Sequence, residues 1–224
     1  MRVVTPAFAL WIVSLSATAA ELERETLEPD DGWAAFGSGT SGGSLAIDDH
    51  VYTVTTRREF IAALNDGVPS STSPSNPSNV PKIIRVEGTI DFNVDDNNQP
   101  LACESYFRPD PTTGVLFSYE AFAAAFDPNG PWGRVNPSGP QERARVASAA
   151  AQQARVRIRP GSNTTIVGVG KDATLKGIWM DIRGTANVAN SRTNIIVRNV
   201  SFVDTYDCFP QWAPNDGALG AWNA

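Results

Sequence analysis

Asn163-Thr-Thr-Ile-Val-Gly168 and Asn194-Ile-Ile-Val-Arg-Asn199 are two versions of one unit. Each opens on asparagine, runs through β-branched residues and closes on a residue suited to a turn. Aligned on Ile166 and Val197, they lie 31 residues apart (197 − 166). Further short strands surround them: Val156–Ile158, Thr165–Val169, Thr174–Leu175, Ile178–Ile182, Asn194–Val197 and Val200–Phe202. Gly161, Gly168, Gly170, Gly177, Gly184, Asn187 and Asn199 punctuate them. Strands this short, with no helices between them, cannot build a doubly wound α/β sheet. The spacing suits one rung of a coiled β-structure plus its loop, where each coil buries its apolar face only by stacking on the next. An antiparallel sandwich remains the structural alternative, and periodicity prefers the solenoid. Gly168-Val-Gly170 lacks the third glycine and the following helix of a phosphate loop, so it reads as turns between rungs.

Toward the N-terminus the same grammar continues. Val51–Val54 alternates as a strand, and Thr55 or Thr56 then caps an amphipathic helix carrying Phe60, Ile61 and Leu64, with Gly67 shortly after. Pro69–Pro81 is an exposed loop, and Lys82–Ile90 is a strand ending in a turn at Gly88. Residues 93–154 form an excursion: a proline-rich stretch with a helical patch at Tyr119–Phe126, then a strong helix over Pro140–Ala154. Glu21–Asp31 is an acidic lead-in, and the glycine-rich loop Gly32–Gly43 covers something rather than forming an element. Residues 1–20 have the positive, apolar and small-residue layout of a secretory signal. The opposing reading is a short membrane anchor, but the apolar run is short of the ~20 residues needed to span. No later segment spans a bilayer, which places the mature chain outside the cell and in water.

Composition narrows the chemistry. The 224 residues carry 18 Lys+Arg against 24 Asp+Glu, a net charge of -6, which argues against a nucleic-acid module. One histidine, His50, and two cysteines leave too few ligands for a closed zinc site and tie any serine triad to His50. Carboxylate, carbonyl or arginine chemistry remains, or simple binding. In an exported protein Cys103 and Cys208 are either bridged or two free buried thiols, since sequence alone cannot place their Cα atoms.

The run from Asn163 through Gly177, followed by Asn194 to Asp204, resembles the secreted pectate lyases of the first polysaccharide-lyase family. Tyr206-Asp-Cys-Phe-Pro-Gln-Trp-Ala-Pro-Asn-Asp-Gly217, with Trp222-Asn223, looks like their next segment. Gly32-Trp-Ala34, the Thr40–Gly43 loop, Val54-Thr-Thr56 and Pro81–Ile90 match upstream. The excursion ending in Pro137-Ser-Gly-Pro-Gln-Glu-Arg-Ala-Arg145 resembles the long-loop bacterial members. The resemblance runs from Gly32 to Ala224. It implies an all-β fold, a right-handed parallel β-helix capped by the helix near Thr56–Asn65, with the chain as an N-terminal portion truncated at its C-terminus.

The activity so implied is calcium-dependent β-elimination of de-esterified homogalacturonan by a secreted protein, a monomer at full length, with neither nucleic acid nor membrane as partner. Proton abstraction beside a carboxylate builds enolate charge, which a hard oxygen-liganded cation stabilises, and an arginine serves as base. The resemblance places the principal calcium aspartates and the catalytic arginine beyond Ala224, so no catalytic residue is assigned. Arg183, Arg192 and Arg198 match no catalytic position. Asp216 carries over as a secondary calcium ligand, set against an ordinary Asp-Gly turn. Asp204 and Asp207 could face the same cleft or be turn residues. Cys208 stands where relatives usually carry an aromatic residue. Gln211 and Trp212 are either sugar contacts or loop packing, and His50 is a solvated turn residue. Asn163-Thr-Thr165 and Asn199-Val-Ser201 fit the glycosylation pattern but fall in rungs. A pectin lyase and a non-catalytic polysaccharide-binding β-helix are the competing functions.

Overall fold

The computed structural model describes residues 22–72, 77–126, 135–183, 192–216 and 220–223; the leader reading for residues 1–20 lies outside them. Its strands are β1 (Val51–Val54), β2 (Lys82–Asp91), β3 (Arg157–Ile158), β4 (Thr164–Lys176), β5 (Trp179–Met180), β6 (Ile195–Arg198), β7 (Ser201–Val203), β8 (Gln211–Ala213) and β9 (Ala221–Asn223). The α-helices are α1 (Arg57–Leu64), α2 (Tyr119–Ala125) and α3 (Pro140–Val156). One sheet runs β1-β2-β4-β6 with β7 also on β4, and β3 pairs with β5. Every one of these pairings is parallel, whereas β8 pairs with β9 antiparallel. This is a parallel β-helix.

The repeat read from the sequence is the register of the stack, because Ile166 pairs with Val197. Val51 pairs with Ile83, 32 residues on (83 − 51), while Ile84 pairs with Ile166, 82 residues on (166 − 84). The longer interval holds the excursion, inserted into one rung. Side chains alternate across each strand. Ile84, Val86 and Ile166 point into a core shared with Ile90, Phe92, Ile158, Leu175 and Ile178. Ile83 and Val167 point the other way and pack with Ala46. Burial on both faces accounts for the consecutive buried side chains Lys82, Ile83 and Ile84 in β2.

Two expectations about strand ends are corrected. Gly88 does not end β2, and Thr165–Val169 and Thr174–Leu175 are one strand, β4, rather than two. Gly88 (φ 67°) lies at a register shift between Glu87 and Thr89, and Gly170 has φ 74°. The backbone turns a corner at each without leaving the ladder, so Gly168-Val-Gly170 bends a rung rather than joining rungs.

Asparagines hold the opposite corner. Asn163 and Asn194 both adopt φ 59°, and Asn194 Nδ2 donates to Asn163 Oδ1 at 2.8 Å. Asn194 Oδ1 accepts from the backbone N–H groups of Ser41 and Gly42, each at 2.7 Å. The glycine-rich loop therefore covers this corner and the backbone of β2. A Cβ on Gly43 would lie 1.9 Å from the Lys82 carbonyl oxygen, so only glycine permits that approach. Both glycosylation-pattern asparagines are engaged: Asn163 Nδ2 donates to the Asn79 carbonyl, and Asn199 Nδ2 to those of Gly168 and Gly170.

The helix α1 starts at a capping box, with Glu59 N donating to the Thr56 hydroxyl and Thr56 N to Glu59 Oε2. Phe60, Ile61 and Leu64 are wholly buried against β1 and β2, which closes this end of the stack. The excursion builds a second core from Tyr106, Phe117, Phe122, Phe126, Ala144 and Phe209. Cys103 and Cys208 are joined as a disulfide, their Cα atoms 5.5 Å apart across 105 residues. Among the described residues no helix is long and apolar enough to cross a membrane.

Candidate functional site

After its corner, each rung presents a short strand whose last residues face outward. Thr89–Asp91, Thr174–Lys176 and Ser201–Val203 lie side by side, with Asp91 opposite Lys176 and Lys176 opposite Val203. The result is a column of charge: Lys176 Nζ is 3.5 Å from Asp91 Oδ2 and 3.7 Å from Asp204 Oδ2. Asp204 leaves the strand with φ 51°. Two carboxylates on one lysine leave a net negative surface.

Beside this column lies a hollow of about 230 Å³, lined by Gly177, Trp179, Thr205, Tyr206, Asp207 and Gln152. Its rim is braced from behind. Asn93 Nδ2 donates to the Tyr206 hydroxyl at 2.5 Å, and the Tyr106 hydroxyl donates to Asn93 Oδ1 at 2.6 Å. Burial pushes the Tyr106 phenol up to about 12, so it stays a neutral donor. Helix α3 holds the same segment: Cys208 N donates to Gln152 Oε1 at 3.0 Å and Arg145 Nη1 to the Phe209 carbonyl at 3.0 Å. The Tyr119 hydroxyl donates to the Cys208 carbonyl. The excursion thus acts as a clamp on residues 206–209.

The residues singled out in the sequence separate accordingly. Asp204 and Asp207 stand at this surface, and Asp207 Oδ1 also accepts from Phe209 N at 2.8 Å, as a turn residue would. Asp216 is exposed in the turn after β8, with its N–H on the Ala213 carbonyl; Gly217 lies outside the described residues. Trp212 is buried, so its ring packs rather than facing solvent, whereas Gln211 is exposed. Arg183 pairs with Asp181, and Arg198 with Glu25 and the Leu22 carbonyl. His50 sits at the end of a short turn, 6.5 Å from the Tyr52 ring. Asp91 and Lys176 were missed. Their common position, directly after the buried Ile90 and Leu175, becomes visible once rungs are aligned after the corner as well as before it.

Among the described residues no three Asp, Glu, His or Cys side chains converge as metal ligands. Asp91 and Asp204 are joined by a lysine, and Asp216 lies in the exposed turn after β8. The donor set described does not fit a calcium centre, and no step is derived through one.

No protein-family profile matches the chain. Among curated proteins it is 41% identical over 218 residues to the pectate lyase of Bacillus subtilis (strain 168), covering 97% of this chain and 46% of that one. Among solved structures, the thermostable pectate lyase PL 47 matches with a TM-score of 0.77 and 44% identity, over 91% of this chain and 44% of that one. A pectate lyase bound to hexasaccharide matches with a TM-score of 0.74 and 41% identity, over 91% of this chain and 45% of the other. The chain therefore spans a little under half the length of these relatives. Over nearly all of its own length the chain is similar, in sequence and as a parallel β-helix, to a part of these pectate lyases.

Proposed function

We propose that this chain is the N-terminal portion of a secreted, calcium-dependent pectate lyase that cleaves de-esterified homogalacturonan by β-elimination. The observation that carries the reading is the 41–44% identity to pectate lyases across at least nine-tenths of the chain, one of them bound to a hexasaccharide. The chain's own part is positional. Stacked rungs supply a rigid wall, and the excursion braces Tyr206 and Asp207 beside it. Asp216, exposed in the turn after β8, would supply at most a single oxygen toward a calcium cation. The remaining carboxylates and the arginine base belong to the length of the relatives that this chain does not span. The working protein would be a monomer outside the cell.

Elimination creates an unsaturated uronide that absorbs in the ultraviolet. On polygalacturonate the 224-residue chain is expected to give no chelator-sensitive rise in absorbance, and a chain extended to the relatives' length to give one. A robust calcium-dependent rise from the 224-residue chain would overturn the placing of the machinery. Silence from the extended chain would overturn the activity.

A further inference from the structure

Arg157 of β3 lies opposite Trp179 of β5, and Ile158 opposite Met180. Ile158 is wholly buried and Met180 packs on the same core. Alternation therefore turns Arg157 and Trp179 outward, and after them Arg159 and Asp181. The Arg157 guanidinium sits 4.5 Å from the centroid of the Trp179 ring. Three arginines then share one carboxylate. Asp181 Oδ2 accepts from Arg157 Nε at 2.7 Å and from Arg159 Nε at 3.0 Å, while Asp181 Oδ1 is 2.9 Å from Arg183 Nε.

One carboxylate cannot neutralise three guanidiniums. Burial would raise the Asp181 carboxyl, but the hydrogen bonds from Arg159 and Arg157 outweigh it and hold the group below its ordinary value. Between Ala173 and Val203 Asp181 is the only acidic residue, and Arg183, Arg192 and Arg198 all lie in that span. Burial pushes the Arg192 guanidinium down, and repulsion from Arg159 and Arg157 adds to this against the pull of Asp181. To anchor Asp181, a single bidentate arginine would be enough; each further one adds repulsion unless another anion joins. The cations are reachable, with side chains of Arg157, Arg159 and Arg183 exposed by 17%, 30% and 60%. Hollows flank the ridge: one of about 330 Å³ lined by Thr72, Gln153, Arg157 and Arg159, the other the Trp179 hollow of about 230 Å³.

We propose that the outward face of β3 and β5 is a binding site for a carboxylated oligosaccharide, a short run of uronic acids. The guanidinium forks of Arg159 and Arg183 match carboxylates, the free part of the Trp179 ring suits the apolar face of a sugar, and the Gln153 amide serves its hydroxyls. A nucleic acid would meet the same cations, but on a chain of net charge -6. The choice of uronate among sugar acids rests on the lyase reading; the site itself does not.

The test is calorimetric titration of the full 224-residue chain with a de-esterified oligogalacturonate in excess chelator, where any calcium-bridged contact is silent. Binding is expected, weakening steeply with added salt. Arg183→Ser, which leaves Arg157 and Arg159 on Asp181, should weaken it roughly threefold, and Arg159→Ser with Arg183→Ser roughly tenfold or more. Thermal melts report whether each variant is folded. Asp181→Asn, which removes the internal competitor, should tighten binding. Absence of binding in chelator, or affinity unchanged in Arg183→Ser, would overturn the site. Equal binding of methyl-esterified oligomer, inorganic phosphate or a DNA oligonucleotide would overturn its uronate assignment. Since heat of binding is read without calcium, a failed elimination assay leaves these outcomes standing.

Discussion

Asp110 shows how much one residue does where the sequence gives no hint of it. Its side chain is fully buried, takes both prongs of Arg143 at 2.8 Å, and accepts from the Thr113 hydroxyl and Thr112 N. The Arg143 hydrogen bonds outweigh burial and hold the carboxyl well below its ordinary range. A folded-state pKa below the unfolded value of about 3.9 means stability that is present above that value and lost as pH falls through it. Melting temperature should therefore drop between about pH 4 and pH 2. Asp110→Asn should melt lower at neutral pH and show a shallower acid slope. An unchanged slope would mean the pair is immaterial. Asn163 and Asn194, by contrast, were legible as punctuation; that the Asn194 side chain joins Asn163, 31 residues away, and the Ser41–Gly42 backbone, more than 150 residues away, was not.

Among the elements, α1 is the one most fully written in local sequence. Thr56, Glu59 and the Phe60, Ile61 and Leu64 spacing specify its start and its buried face. Thr56→Ala removes the acceptor for Glu59 N and should cost about 1 kcal/mol, read as a lowered urea midpoint at unchanged slope. Strand limits were less legible. A glycine at positive φ is equally able to end a strand or bend it, and only the neighbouring rung decides. At Gly88 and Gly170 the ladder resumes after the corner, so β2 and β4 continue. The arginine face on β3 and β5 was invisible for a related reason. Arg157 and Trp179 lie in separate segments, and the register that puts one over the other belongs to the stack.

At the scale of the whole molecule, the excursion and the stack are tied by one covalent link. The Cys103–Cys208 bridge closes a loop of 105 residues, worth about 4–5 kcal/mol in the chain-entropy account. Replacing both cysteines by serine should lower the melting temperature by several degrees, and reductant should do the same to the native chain. The last rung is a second whole-molecule feature. Among the described residues β6 and β7 pair only with β4, and Ile182, Phe202 and Val203 are 45%, 47% and 39% exposed. An open parallel edge with apolar side chains invites association. Light scattering should show particle mass rising with protein concentration, and a strictly monomeric signal at high concentration would refute this. The sequence by itself determined the 31-residue repeat and the helix α1 with its N-cap, while the choice of a coil over a sandwich came with the family resemblance. The repeat and the helix follow from local periodicity and from propensities acting within a few residues. Only the tertiary structure decided the disulfide, the Asp91–Lys176–Asp204 column, the braced Tyr206 segment and the arginine face. All four join residues distant in the chain, and stacking register is what brings them within reach of one another.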